Sequence, residues 1–316
     1  MMQFIVRRLL IAVPVLLLVS LISASIMQLV PGDPAAVIAG ASASDAEIAQ
    51  VRKQLGLDQP FPVKLARWYS DLAHGDLGHS ILLNRPVTQA IAERVPVTLA
   101  LAGFALLLTV AIGVPAGVIA AMRANTWVDQ AVLTLALVGV SIPNFWLSLM
   151  LIVLFGVMLD WLPAGGYVPF ADDPVGWVRC LILPGISLAL LQIGLLARIT
   201  RATMLEVLQQ DYIRTARAKG MPAFFVIGKH ALKNVLVPVV TVIGISFGLL
   251  LSGSVVIETV YSIPGMGRLL ANAIFGRDYP VIQGGLLLTA AVLVLLNLLV
   301  DVLYAVIDPR IKYDQR

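Results

Sequence analysis

The sequence is poor in charged residues and almost free of cysteine. Charged residues make up 13% of the 316 positions, whereas 59% are hydrophobic and the mean hydropathy is +0.93. This composition leaves too little polar surface to cover a soluble globule, so a lipid bilayer is the expected solvent. Cys180 is the one cysteine, which excludes an intramolecular disulfide and a thiolate metal cluster within the chain.

Motifs for catalysis are also missing. There is no G-x-x-x-x-G-K-[ST] loop, so the chain does not bind ATP by that means. No G-x-S-x-G elbow accompanies the histidines, and His230 is expected on the opposite side of the membrane from His74 and His79. Asp76 lies between those two histidines, but the glycines around it favour turns over a metal site. We therefore expect no catalytic residue, no metal and no cofactor bound by this chain.

The sequence does contain apolar blocks of about 20 residues, each long enough to cross about 30 Å of hydrocarbon. They predict six membrane helices, at residues 9–30, 97–122, 131–159, 181–200, 235–259 and 285–307. The third is long enough to be tilted, or broken near Pro143, because proline removes a backbone donor. The predicted fold class is an all-α integral membrane protein, with one transmembrane domain over residues 1–316 and core helices within 95–307.

Lysine and arginine are distributed unevenly between the connections. One side carries the bases of residues 198–233 together with Arg7, Arg8, Arg123, Arg310, Lys312 and Arg316. The opposite short connections hold only Arg179, Arg268 and Arg277. Because cytoplasmic flanks are enriched in these residues, both termini are predicted in the cytoplasm. The formal charge of +4 therefore reflects topology, and no nucleic-acid partner is expected.

The first extracytoplasmic connection, residues 31–94, is predicted to be an ordered appendage of the membrane domain. Ser44 and Glu47 form a capping-box pattern at the start of a helix over residues 46–55. Gly75 and Gly78 predict turns that lead back to the membrane.

Residues 211–233 lie in the predicted cytoplasmic connection 201–234 and are too polar to span a membrane. They predict a short helix, a stop at Gly220 and Pro222, and a second short helix. A helix fused to two membrane helices is a good lever for a partner protein. An amphipathic helix resting among lipid headgroups fits the same residues equally well.

The first of these short helices carries a polar face with small side chains. Asp211, Arg214, Thr215 and Ala218 fall on one face at helical spacing. The small residues Thr215, Ala216 and Ala218 are expected to let another protein approach closely.

Several motifs occur in one order along nearly the whole chain. They are PGDP at 31–34, GDLGHS at 75–80, RVPVTLAL at 94–101, SIPNFW at 141–146, LPAGGY at 162–167, LPGISL at 183–188, ETVYSIPGMGRLL at 258–270, RDYPVIQG at 277–284 and DPRIK at 308–312. With residues 211–233, they resemble the binding-protein-dependent ABC importer permeases of the dipeptide and oligopeptide subfamily, and the order is similar to the first of its two permeases. Gly220 stands where the EAA loop of such permeases has its glycine, whereas Arg214, Thr215 and Ala216 replace its Glu-Ala-Ala.

The resemblance implies the type I ABC importer architecture in a bacterial inner membrane. It implies a homologous second permease, two ATPase subunits that carry ATP and Mg, and an extracytoplasmic substrate-binding protein as partners. It also implies that the loop helix couples transport to the ATPase, through a set of residues that is Asp211, Arg214, Thr215, Ala216, Arg217, Ala218, Lys219, Gly220 and His230. The expected cargo is peptides, and related permeases import nickel, glutathione or other small solutes.

Polar residues in or near the predicted spans are costly to present to lipid and are candidates for the translocation path. They are Ser141, Pro143, Asn144, Gln192, Ser246 and Ser252. Hydrogen bonding between helices is the alternative use of such side chains. Gly113 and Gly117 form a G-x-x-x-G pair, for which packing inside the chain is favoured over contact with a second permease.

Charged residues near the turn at 263–267 are candidates for contact with the binding protein. They are Glu258, Arg268, Arg277 and Asp278, and an exposed salt bridge between Glu258 and Arg268 is the alternative. Two other classes of function stay open. An ion-coupled secondary transporter predicts carboxylates at the membrane midplane, and a structural scaffold needs no coupling helix.

Overall fold

The computed structural model describes residues 2–29, 34–39, 43–54 and 58–307, nearly all of them helical. Several sequence positions used above lie outside the described residues. They are the span end at Val30, the loop start at Pro31, the helix end at Leu55, and the tail bases Arg310, Lys312 and Arg316.

The helices follow one another along the chain with short connections. They are α1 Met2–Leu29, α2 Pro34–Ala39, α3 Asp45–Gln54, α4 Phe61–Ala73, α5 Val87–Met122, α6 Trp127–Ser141, α7 Asn144–Leu151, α8 Pro174–Leu208, α9 Asp211–Ala218, α10 Ala223–Phe225, α11 Leu232–Val260, α12 Met266–Gly276 and α13 Tyr279–Ile307. Two π-helical turns extend α7 over Ile152–Met158 and join α10 to α11 over Val226–Ala231. The strands β1 His79–Ser80 and β2 Arg85–Pro86 add a small antiparallel hairpin, with His79 opposite Pro86, to the expected all-α fold.

Four helical stretches among the described residues are long and apolar enough to cross a membrane. They are Val87–Met122, Pro174–Leu208, Pro238–Val260 and Tyr279–Leu299. The pair Trp127–Ser141 and Asn144–Met158 makes a fifth if the two helices form one span, and α1 contains the shorter apolar stretch Leu10–Ser25. The count of six crossings therefore stays a prediction.

The predicted break in the third span is confirmed. The two halves meet at an angle of 99°, and α6 ends at Ser141 just before Pro143. Pro143 has no backbone N–H to continue the ladder, and it disfavours a helical conformation in Ile142, which is extended.

Three predicted helices are too short in the sequence analysis. The second begins at Val87 instead of residue 97, and the bounds 31–94 of the first connection stay a prediction. The fourth covers Pro174–Leu208, and the sixth begins at Tyr279. Apolar runs mark the part of a helix that lies in hydrocarbon, whereas backbone hydrogen bonds continue the helix through its polar ends.

The capping box at the start of α3 is confirmed. The Ser44 amide and hydroxyl donate to the Glu47 carboxylate at 2.7 and 2.8 Å, and the Glu47 amide donates back to the Ser44 hydroxyl at 3.4 Å. The two bonds that Ser44 donates lower the pKa of Glu47 below its usual value. The predicted turns are also present, because Gly75 and Gly78 have φ angles of +78° and +85°.

The chain divides into two compact units. We call Met1–Val97 with Pro264–Leu295 the loop unit, and Thr98–Ile263 with Leu296–Arg316 the core unit. The prediction of one transmembrane domain is not tested by this division. A cluster of Val87, Ile91, α12 side chains and Val281 forms the interior of the loop unit.

Helix α8 is the central helix of the core unit. Two-thirds (67%) of its most apolar window is buried, against 17–39% for the other three long spans. Gly117 of α5 and Gly194 of α8 allow the close approach, because a Cβ there would lie 2.5 Å from Ala197 O and 2.6 Å from Ala136 O. The prediction that Gly113 and Gly117 pack inside the chain is thereby confirmed.

Candidate coupling and docking sites

Helix α9 is anchored by one buried face. Ile213 is fully buried, and Ala216 is 6% exposed. Both belong to an apolar cluster with Met204 of α8 and Val226 and Val235 from the chain that follows. Burial of this face fixes the short helix against the core unit, because eight residues do not form a stable helix alone.

The opposite face of α9 is exposed. Asp211, Arg214, Thr215 and Ala218 are all open to solvent, as the helical spacing predicts. The Thr215 hydroxyl donates to Asp211 O at 2.9 Å. Arg214 and Asp211 lie 3.6 Å apart with 72% and 96% of their side chains exposed, so their attraction contributes little to stability. The exposed Arg217 and Lys219 make this end of α9 basic.

Ala216 does not belong to the exposed small face. The expectation that Thr215, Ala216 and Ala218 together meet a partner is wrong for Ala216, because this side chain points into the apolar cluster. Residues 213 and 216 are separated by three positions and share the inward side of the helix. Enlarging Ala216 would overpack the core unit, so it does not test a docking surface.

Gly220 ends this element as predicted. Its φ angle of +74° lies in the left-handed region, and its amide donates to Arg217 O at 2.9 Å. No heavy atom lies within 4 Å of the place where a Cβ would stand. The glycine is therefore required by the backbone conformation and not by lack of space. Pro222 then starts α10, which confirms the predicted helix, turn and second short helix.

A polar contact ties α9 to the start of α11. The Asn234 amide donates to the Tyr212 hydroxyl at 2.8 Å and to His230 O at 3.1 Å. His230 itself is half-buried at the end of the π-helical turn. Helix α9 is thus held at two sites, by apolar packing on α8 and by this contact on α11.

An ion pair that the sequence analysis missed lies near the start of α6. Asp129 is 2% exposed, and the Arg201 guanidinium from α8 donates to it at 2.5 Å through Nε and at 2.6 Å through Nη2. The Asn125 amide donates to the same carboxylate at 2.9 Å. The available signal was Asp129, the one charged residue of α6, together with Arg198 and Arg201 in the second half of α8, a pattern that favours pairing between the two helices.

The candidate path residues do not form one surface. Gln192 and Ser246 are both buried, and the Ser246 hydroxyl donates to Gln192 Oε1 at 3.1 Å, so they join α8 to α11. Ser141, Pro143 and Ser252 are exposed, and Asn144 is half-buried. Hydrogen bonding between helices is the observed use of the first two, and the path assignment of the set stays a prediction.

A buried tyrosine lies directly after α11, at the end of that helix that is extracytoplasmic in the predicted topology. Tyr261 is fully buried, and its hydroxyl lies 3.1 Å from Ser187 Oγ and 3.3 Å from Ser148 O. Burial raises the pKa of Tyr261, so its phenol stays protonated at neutral pH and can donate to that carbonyl.

Two of the four expected contacts with a binding protein are buried within the chain. Glu258 is 0% exposed and accepts a hydrogen bond from the Thr98 hydroxyl at 2.6 Å. Asp278 is 1% exposed and accepts from the Ser80 hydroxyl at 2.5 Å and the Leu82 amide at 3.1 Å. Both carboxylates hold the fold together, so the expectation that they are exposed is wrong. Arg268 and Arg277 are half-buried and remain accessible.

Comparison with known proteins identifies the family. A family model described as "Binding-protein-dependent transport system inner membrane component" matches residues 113–313, and a model of the N-terminal part of such components matches residues 1–102. The chain belongs to this family. Membership makes it a multi-pass transport subunit of the inner membrane, of the ABC importer permease type.

Relatives within this family cover the chain from end to end. A Brucella abortus (strain 2308) protein, whose name describes a peptide transport system permease protein, is 52% identical over 99% of this chain and 100% of its own length. The dipeptide transport system permease protein DppB of Alkalihalophilus pseudofirmus and the glutathione transport system permease protein GsiC of Escherichia coli O6:H1 are each 44% identical over 99% of the chain and 100% of their lengths.

A solved structure shares the fold. The inward-facing MetNI methionine ABC transporter matches with a TM-score of 0.58 and 20% identity, over 70% of this chain and 97% of the solved chain. At this identity the likeness concerns the fold, and it supports the type I importer permease architecture.

Proposed function

We propose that this chain is the membrane-spanning permease of an ATP-driven importer that takes up peptides delivered by an extracytoplasmic binding protein. The observation that carries the proposal is the full-length similarity to relatives named for peptide and dipeptide transport. The chain crosses the membrane six times, with both termini in the cytoplasm. A homologous second permease and two ATPase subunits complete the importer, and ATP and Mg bind to the ATPases.

The exposed face of α9 is the proposed contact with an ATPase. An exposed face on a firmly anchored helix is what such a contact requires, because displacement of α9 then displaces α8 and α11 as well. Coupling needs two conformations that ATP binding biases differently, and ATP hydrolysis returns the complex to the inward-facing one.

Glutathione is a second candidate cargo, because one relative named for glutathione transport is as similar as the dipeptide relative. Glutathione is itself a small peptide with a γ-linkage, so both cargoes present an amide backbone and carboxylates. The two candidates therefore differ in the linkage that the importer accepts.

The test is uptake into proteoliposomes that contain the complete importer. ATP is enclosed in the vesicles, where it reaches the ATPase subunits, and the cognate binding protein is added outside. Labelled di- to penta-peptides and glutathione are offered in parallel. We expect ATP-dependent uptake of peptides. An intact complex that hydrolyses ATP but takes up neither cargo would remove the substrate assignment, and uptake driven by an ion gradient without ATP would contradict the coupling scheme.

The role of α9 is tested in the same assay with Ala218→Trp, which enlarges the exposed face. We expect loss of ATPase binding or of uptake, because a bulky ring blocks close approach of the partner. Ala171→Trp is the matched control, since Ala171 is an exposed alanine in the connection between α7 and α8. Equal uptake by the two variants would exclude this face from the contact.

A further inference from the structure

A basic cavity of about 250 Å³ lies in the loop unit. Arg94 near the start of α5 and Arg268 and Asn272 of α12 supply its polar walls. Asp278 also lines it, but the Ser80 hydroxyl and the amides of the following loop already donate to its carboxylate. The cavity therefore has two cationic side chains and one carboxylate that is engaged elsewhere.

One of these cationic groups has an unused donor. Arg94 Nε is buried, and none of the described residues accepts a hydrogen bond from it. A buried N–H without an acceptor is unfavourable, so a turn of the Arg94 side chain toward an incoming acceptor is favoured. A carboxylate fits best, because its two oxygens match the fork of a guanidinium.

Exposed apolar side chains line the cavity or directly follow its lining residues in the chain. Leu82 and Leu83 line it with 51% and 42% of their surface exposed. Ile274 and Phe275, which follow the lining residue Ala273 in α12, are 57% and 87% exposed. Apolar and aromatic residues around an arginine are typical of the centre of a protein–protein contact.

The cavity lies at the ends of two of the long spans. Its walls come from the 81–83 loop, from α12, from Arg94 near the start of α5 and from Val281 at the start of α13. The distribution of basic residues predicts that these connections are extracytoplasmic. A binding protein has to dock on that side in a transport system that depends on one.

We infer that this cavity receives an acidic side chain of the substrate-binding protein, with Arg94 and Arg268 pairing to its carboxylate and the leucines packing around it. The inference rests on the proposed function and names the partner contact within it. Arg94 is added to the expected contact residues, the buried Glu258 is removed from them, and Asp278 lines the cavity with its carboxylate already engaged by the 80–82 loop.

The test measures the affinity of the cognate binding protein for the complete transporter, held in nanodiscs of phosphatidylcholine without anionic lipid. Arg94→Gln and Arg268→Gln are expected to weaken binding by at least about tenfold, since a charge-assisted pair is lost. Arg94→Lys keeps the charge without the fork and is expected to fall between wild type and Arg94→Gln. Arg85→Gln is the matched control, because Arg85 is in the same unit, carries the same charge and pairs with Glu93 outside the cavity.

A second measurement separates docking from an effect on the substrate. Saturating binding protein should restore the maximal uptake rate of Arg94→Gln, because only the encounter is weakened. Equal affinities for all four variants would overturn the inference. Unchanged affinity for the binding protein together with a raised KM for peptides, and a normal KM for C-terminally amidated peptides, would also overturn it, because the cavity would then bind the cargo. A loss of affinity that is seen only when anionic lipid is present would overturn it as well.

Failure of this inference is distinct from failure of the proposed function, because the affinity is measured without transport. A wild-type complex that binds the protein through Arg94 but takes up no peptide would refute the cargo alone. A complex that takes up peptides while every variant binds equally would refute the docking cavity alone.

Discussion

Removal of the buried carboxylate of Asp129 tests how α6 is fastened to α8. In Asp129→Ala, the Arg201 guanidinium loses both of its short hydrogen bonds, and the Asn125 amide loses its acceptor. Arg201 is left as a cation near the end of α8, with 21% of its side chain exposed.

The expected loss in free energy of unfolding follows from the burial of the ion pair. Breaking a fully buried pair by removing one partner costs about 3–5 kcal/mol, because the other charge stays desolvated. Partial exposure of Arg201 lets water reach it, so we expect roughly 2–3 kcal/mol for Asp129→Ala. In a chain of 316 residues that corresponds to a fall in Tm of about 3–5 °C.

Thermal unfolding of the detergent-purified chain measures this cost, and a double-mutant cycle isolates the pair. Arg201→Ala should cost a similar amount, and the double variant should cost less than the sum of the two, because it leaves no unpaired charge. Arg85→Ala breaks an exposed pair and should change Tm little. Additive costs, or an Asp129→Ala effect no larger than that of Arg85→Ala, would refute the reasoning.

Three further predictions concern single positions, each read out by Tm. Gly117→Ala should cost about 1–3 kcal/mol, because its Cβ would lie 2.5 Å from a backbone oxygen, whereas Gly103→Ala has open space and should be neutral or slightly stabilising. Gly220→Ala should cost about 1 kcal/mol, because alanine disfavours the left-handed backbone conformation there, although its Cβ would meet no other atom. Asp278→Ala should cost about 1–3 kcal/mol and speed proteolysis near Ser80, because the donors of that loop lose their acceptor; unchanged cleavage would contradict this role.

The sequence predicted those structural elements that depend on a few neighbouring residues. The capping box at Ser44, the stop at Gly220 and the break near Pro143 each depend on a few neighbouring residues, and all three are confirmed. The exposed face of α9 also followed from helical spacing. The helix ends did not, because a polar first turn such as that of α5 reads as a loop when apolar length is the criterion.

Hydrogen bonds between residues that are far apart in the sequence could not be predicted from the sequence. Nothing near Glu258 in the chain indicates that its carboxylate is buried and accepts a hydrogen bond from Thr98. Asp278 likewise accepts from Ser80, which lies almost 200 positions away in the sequence. A charge beside a turn was therefore interpreted as a surface contact. The same limit explains Ala216, since small size is compatible with an exposed face and with a tight interior equally well.

The position of α9 between two long helices explains why anchoring matters as much as the exposed face. Helix α8 ends at Leu208 and α9 begins at Asp211, so two residues connect them. On the other side, helical turns continue from Ala223 to Val260, with Asn234 bonded to Tyr212. A loose helix would absorb a push by bending its linkers, whereas one packed through Ile213 has to carry α8 and α11 with it. Under the coupling role proposed for α9, transmission depends on the buried side chains, and recognition depends on the exposed ones.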